Sequence, residues 1–176
     1  MKTLSITLFS SATLAMCGLL FLGSQSRAED NKSGLTSDEV SFIKHAAADG
    51  LAEVKIAGLA VRKAESADVK ALAETLVTDH TKVNEELTLL ATNKSVDLSA
   101  VIDPKDAGIF QKLEKYSGAE FDKAYLSEVV SSHKKCLGIF EEISKESKNA
   151  EVKAFADKYI PTLKAHHDKA KEMHSK

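Results

Sequence analysis

Four residues of this chain pair a metal-ligating or proton-handling side chain with a place in an otherwise apolar stripe: Glu53, His80, His133 and His166. Three imidazoles and a carboxylate suit zinc or another divalent transition metal. Two imidazoles facing each other across a core can also ligate haem iron. Asp79, beside His80, and Glu128 are carboxylates of the kind that orient metal-bound histidines by hydrogen bonding. The same four residues also fit a purely structural layer, because a Glu and a His facing each other in a core satisfy one another's hydrogen bonds. A di-iron carboxylate centre is not expected. It needs Glu-x-x-His on two helices, and the residues three before His80 and His166 are Val77 and Leu163. His166, His167 and His174 form a looser group near the C-terminus, with His167 off the stripe and directed to solvent. Cys136 reads as an inert, buried thiol. No glycine-rich phosphate loop or activated nucleophile motif is present.

The elements that must position these residues are four long helical patterns. The first runs from about Ser37 to Glu65. Thr36 and Glu39 form a capping box at its start. Its stripe is Ile43, Ala46, Gly50, Glu53, Ala57, Ala60 and Ala64, mostly small and spaced by threes and fours. The second runs from about Ala67 to Asn93 behind Ser66 as N-cap. Its stripe holds Leu72, Leu76, His80, Val83 and Leu87. The third runs from about Gly118 to Ser147, with Ser117 and Glu120 as a second capping box. Its apolar face includes Leu126, Val130, His133, Leu137 and Phe140. The fourth runs from about Ala150 to His174, capped by Asn149, with Phe155, Tyr159, Leu163, His166 and Ala170 in line. Pro161 inside it predicts a kink near Asp157–Pro161.

Very short links join the first helix to the second and the third to the fourth, which makes two antiparallel hairpins. Residues 94–117 form a long crossover. Asp103 and Pro104 start a short extra helix there, with Ile109, Phe110 and Leu113 on the side that lies against the bundle. A weak repeat, Ala67-Asp68-Val69-Lys70-Ala71-Leu72-Ala73 against Ala150-Glu151-Val152-Lys153-Ala154-Phe155-Ala156, opens the second helix of each hairpin. The expected fold is all-α, a ferritin-like four-helix bundle whose hairpin turns lie at opposite ends. At 1.5 Å per residue, Glu53 and His80 lie roughly 20 Å from their turn, and His133 and His166 roughly 25 Å from theirs. All four therefore fall near mid-height of helices about 40 Å long.

Composition bounds the rest. The chain has 176 residues, 2 Pro and 8 Gly, too few turn formers for a many-stranded fold. Lys2, the apolar run Leu4 to Leu22 and Ser26-Arg27-Ala28 read as a secretory signal cleaved after Ala28. A retained membrane anchor is the competing expectation, since the run is about as long as a span. Leu14-Ala15-Met16-Cys17 only half resembles a lipoprotein box. Residues 29–36 form a flexible lead, and 37–176 the bundle domain. The mature chain keeps 22 basic and 26 acidic residues, a net charge of −4, and Cys136 alone of the two cysteines. Nucleic acid is therefore not an expected partner. The bundle domain itself is not expected to span a membrane. An envelope partner or a second copy of the chain remains open.

The chain resembles the bacterial secreted family catalogued as domain of unknown function 4142, often labelled predicted outer membrane protein. The similarity runs over residues 38–173. It rests on Glu53-Val54, Val77-Thr78-Asp79-His80-Thr81-Lys82, Ser117-Gly118-Ala119-Glu120-Phe121-Asp122 and Pro161-Thr162-Leu163-Lys164-Ala165-His166. The family pattern usually has an Asp-His pair on the third long helix, whereas Ser132 precedes His133 here. The resemblance implies a ferritin-like bundle in the periplasm or at the outer membrane, with no activity attached. The combined expectation is an exported binding or structural protein rather than an enzyme. A metal site at Glu53, His80, His133 and His166 is the alternative, and a haem or redox carrier the third choice.

Overall fold

Five helices and no strand make up the described residues, 34–98 and 104–176 of a computed structural model. They are α1 (Ser37–Lys63), α2 (Ala67–Asn93), α3 (Pro104–Glu114), α4 (Gly118–Glu146) and α5 (Ala150–His174). The signal segment, most of the lead and the Asp103 cap lie outside the described residues.

Local chemistry sets most helix ends. At α1 the Thr36 hydroxyl accepts the Glu39 N–H at 3.2 Å, and the Glu39 carboxylate accepts the Thr36 N–H at 2.8 Å. At α5 the Asn149 side chain accepts from Glu151 N and Val152 N. The expected second capping box does not form, because the Ser117 side chain makes no cap hydrogen bond. Instead Gly118 takes φ +60, a left-handed conformation that a side chain would strain. A Cβ there would also lie 2.7 Å from Glu65 Oε2. α5 runs through Pro161 as one helix. The proline sits on the exposed side, so the donor it lacks is missing beside water rather than in the core.

Two carboxylates establish the topology. Glu39 sits at the start of α1, yet its Oε1 accepts from Ser147 Oγ at 2.6 Å, Lys148 N at 2.9 Å and Asn149 N at 3.0 Å. Asp122 sits at the start of α4, yet it accepts from Glu65 N at 3.1 Å and Ser66 N at 2.8 Å. Each hairpin thus caps the turn of the other. The start of α1 lies at the α4–α5 turn, the start of α4 lies at the α1–α2 turn, and the crossover travels the length of the bundle. α3 lies along α1, where Lys63 Nζ donates to Glu114 O at 2.6 Å and Lys55 stands 4.9 Å over the Phe110 ring.

The core divides into two apolar clusters. One gathers Phe42, Ile43, Leu87, Phe140 and Phe155, with the Phe42 and Phe140 rings edge to face at 5.0 Å. The other gathers Ala57, Leu76, Leu113, Phe121 and Tyr125. Burying each large side chain contributes about 1.5–3 kcal/mol. Between the two clusters α1 and α2 pass close together. A Cβ on Gly50 would lie 2.1 Å from Asn84 Oδ1, so any larger residue there would push that side chain aside. His80, His133 and His166 also belong to neither cluster.

Candidate metal centre

His80 on α2, His133 on α4 and His166 on α5 meet in the core, at 5%, 1% and 4% exposure. One ring nitrogen from each lies within 4.8 Å of the others. The ring centroids are 5.3, 5.5 and 5.4 Å apart. His80 Nε2 and His133 Nε2 are separated by 3.3 Å. Two nitrogens bound to one tetrahedral ion at about 2.05 Å each stand about 3.3 Å apart. The same distance accommodates a shared proton when no ion is between them.

The outer nitrogens are held as metal-bound histidines require. His133 Nδ1 donates to the Val129 carbonyl at 3.0 Å, which leaves Nε2 with a free lone pair. His166 Nε2 donates to Asp79 Oδ2 at 2.9 Å. A backbone carbonyl and a carboxylate are the usual supports of ligating imidazoles. The nitrogen of His166 left for an ion is Nδ1, which is buried and has no hydrogen-bond partner. A buried polar atom without a partner is costly, and an ion would satisfy it.

The electrostatics keep these lone pairs available. Burial pushes His80 down to about 4, helped by His166 and opposed by Asp79. Burial pushes His133 down to about 3, with His80 and His166 adding to the effect and the Val129 carbonyl opposing it. Both rings are neutral at pH 7, so protons do not compete with a cation for their nitrogens.

The other residues singled out in the sequence fall around this trio. Glu53 does not join it. Its Oε1 is 3.9 Å from His133 Nδ1, the nitrogen turned toward the backbone rather than toward the other rings. Asp79 supports His166, not its neighbour His80. Glu128 lines a pocket of about 210 Å³ between α1 and α4 that reaches His80 and His133. Cys136 lines the same pocket, and burial, with Asp49 and Glu53 nearby, pushes its thiol up to about 12. His167 pairs with Asp168 at 3.0 Å, and His174 is exposed. The trio itself contains no carboxylate. Ser132 supplies little of the support expected from an Asp, standing 3.4 Å from His133 Nδ1. The Val129 carbonyl, one turn back on α4, takes that place. The sequence signal for it is only the spacing of a helical residue from the carbonyl four before it.

These features define an all-helical bundle with a buried three-histidine cluster. The chain belongs to the family described as Domain of unknown function (DUF4142), which matches residues 24–173. No curated protein gives a significant match. Among solved structures, the chain is similar to a DUF305 fragment from Deinococcus radiodurans, with TM-score 0.72 at 13% identity. That match covers 80% of this chain and 97% of the other. CopM in its Cu(II)-bound form matches with TM-score 0.67 at 17% identity, covering 78% of this chain and 95% of that one. CopM in its Cu(I)-bound form gives TM-score 0.65 at 19% identity, with the same coverage. At these identities the likeness is one of fold. Among the described residues no helix is long and apolar enough to cross a membrane.

Proposed function

We propose that this protein is an exported metal-binding bundle that holds one late transition-metal ion on His80, His133 and His166. The observation that carries this is the convergence of three buried histidines, one ring nitrogen of each within 4.8 Å of the others, in a cluster where His166 Nδ1 has no hydrogen-bond partner. Neutral imidazoles suit copper, zinc, nickel and iron rather than magnesium or calcium. CopM, a neighbour in fold, is known in silver, Cu(I) and Cu(II) forms, which makes copper the first ion to test. Asp79 and Val129 orient two of the ligands, and Glu53 and Glu128 stand outside the ligand set. Haem is the poorer fit, because rings with centroids 5.3 Å apart leave no gap for a macrocycle between them. Export rests on the N-terminal signal pattern, and the bundle is proposed to work in the periplasm or at the outer membrane.

Elemental analysis of protein purified from its native compartment, followed by titration of the chelated protein with Cu(II), Cu(I) and Zn(II), tests this. One ion per chain is expected, lost in His80→Ala and His133→Ala and retained in Glu53→Ala. Folded protein that takes up none of these ions overturns the proposal.

A second reading is a metal-free polar layer, favoured by the 3.3 Å His80–His133 contact. It leaves His166 Nδ1 unexplained. It predicts that His166→Leu, which removes the orphaned nitrogen, changes only stability.

A further inference from the structure

A cation must pass the apolar shell to reach rings that are at most 5% exposed, and two surface depressions lead toward them. One is the pocket between α1 and α4, which ends on His80 and His133. The other is a groove between α2 and α5, bordered by Asp79, Pro161 and His166. We propose, on the basis of the metal reading above, that the ion enters and leaves through the α1–α4 pocket, guided by Asp49, Glu53 and Glu128.

Two observations separate the two routes. The first is which histidines each one meets. The α1–α4 pocket reaches both members of the 3.3 Å pair, whose spacing matches two ligands of one ion. The α2–α5 groove reaches His166 on the side where Nε2 is already bonded to Asp79. The free lone pair of that ring is on Nδ1, which is buried from solvent. A cation arriving there meets the wrong nitrogen.

The second is charge. Asp49, Glu53 and Glu128 line the α1–α4 pocket against one cation, Lys135. Carboxylates in a cleft with low-dielectric walls concentrate cations and raise their association rate. In the groove, two carboxylates, Asp68 and Asp79, stand against Lys169.

Room does not separate the routes, because the groove, at about 670 Å³, is larger than the pocket, at about 210 Å³. The pocket is still wide enough to admit water. An ion can therefore shed its hydration shell inside it, one water for each imidazole gained. This gives Glu53 a role that its 3.9 Å distance from the outer nitrogen of His133 does not, as a positioning residue on the path rather than a ligand.

Plugging each route tests the proposal, with Cu(II) as the probe and stopped-flow absorption as the readout. Ser131→Trp fills the pocket from its exposed rim on α4, and Thr75→Trp fills the groove from α2. Ser131→Trp is expected to slow Cu(II) association at least tenfold while the chain still binds one ion at equilibrium. Thr75→Trp is expected to stay within twofold of the unaltered chain. Slowing by Thr75→Trp alone, or normal rates in both, overturns the route. Should Ser131→Trp fail to fold, the isosteric pair Asp49→Asn with Glu128→Gln decides instead. It is expected to slow association severalfold and to flatten its dependence on salt. An unchanged rate and salt dependence in that pair overturns the proposal. An unaltered chain that binds no Cu(II) at equilibrium overturns the metal reading and this inference together, and the equilibrium titration identifies that case.

Discussion

Glu39 at the α4–α5 end of the bundle and His166 in its middle layer are buried alike, at 2% and 4% exposure, but they use their polar atoms in opposite ways. The Glu39 carboxylate accepts from Thr36 N, Ser147 Oγ, Lys148 N and Asn149 N. Burial alone would raise its pKa, but the hydrogen bonds from Ser147, Thr36, Asn149 and Lys148 win and hold it down at about 2. Both oxygens of this carboxylate are spent on the fold. In the middle layer His166 Nδ1 is unpartnered, and the neighbouring His80 and His133 nitrogens have mainly each other. A fully satisfied buried charge is architecture, because it ties turns to helices. A buried cluster that leaves a lone pair over carries a cost that a bound ion would offset.

Four experiments can break or sharpen this contrast. The largest effect is expected from His133→Ala, which should weaken Cu(II) or Zn(II) binding by about a thousandfold, or about 4 kcal/mol. The metal-free fold should remain, as read by titration calorimetry and circular dichroism. Near-normal affinity would return the layer to a structural role. Next, Glu39→Ala should cost about 3 kcal/mol in urea unfolding, because several buried donors lose a charged acceptor. Metal stoichiometry should not change, and a loss of binding there would show that end and middle are one unit.

The third is acidification of the metal-free protein. His80 and His133 have folded values of about 4 and about 3, below the ordinary 6.5. The unfolded chain therefore takes up protons first as the pH falls below 6.5. Stability should drop by roughly 1.4 kcal/mol per pH unit for each imidazole until the folded values are reached. The Glu39 contribution behaves differently. It is complete above about 4.5 and is lost only as the pH falls toward about 2. Two separate acid phases in denaturant midpoints are expected, and saturating metal should suppress the first alone. A single phase near pH 4 would contradict the histidine assignment. The smallest effect is Asp79→Asn, which keeps the shape but weakens support of His166 and should reduce metal affinity by about tenfold. An unchanged affinity would remove Asp79 from the site.

The helices were legible in the sequence almost to the residue. The predicted starts at Ser37, Ala67, Gly118 and Ala150 are the observed ones, because a three-four apolar spacing is a local property, although of the four predicted caps only Thr36 and Asn149 bond through their side chains and Ser66 and Ser117 do not. The convergence of His80, His133 and His166 was legible as height, since each residue adds a set rise along a helix. Ser117 looked like a cap by its spacing to Glu120, but Gly118 in a left-handed conformation took the chain another way. Pro161 does not end α5, which continues through it with the proline at the surface.

What the sequence by itself determined was which residues are helical, which face of each helix is apolar, and at what height its polar members sit. Tertiary structure alone decided which atoms meet. Neighbours on a helix project about 100° apart. Asp79 therefore cannot face the core with His80, and it turned to His166 on α5. Glu53 shares the height of the histidines but stands by the outer nitrogen of His133. Glu39 and Asp122 found their partners more than fifty residues away. Height follows from counting along one chain. Azimuth and ring orientation follow from how four helices settle against each other, and no single helix carries that information.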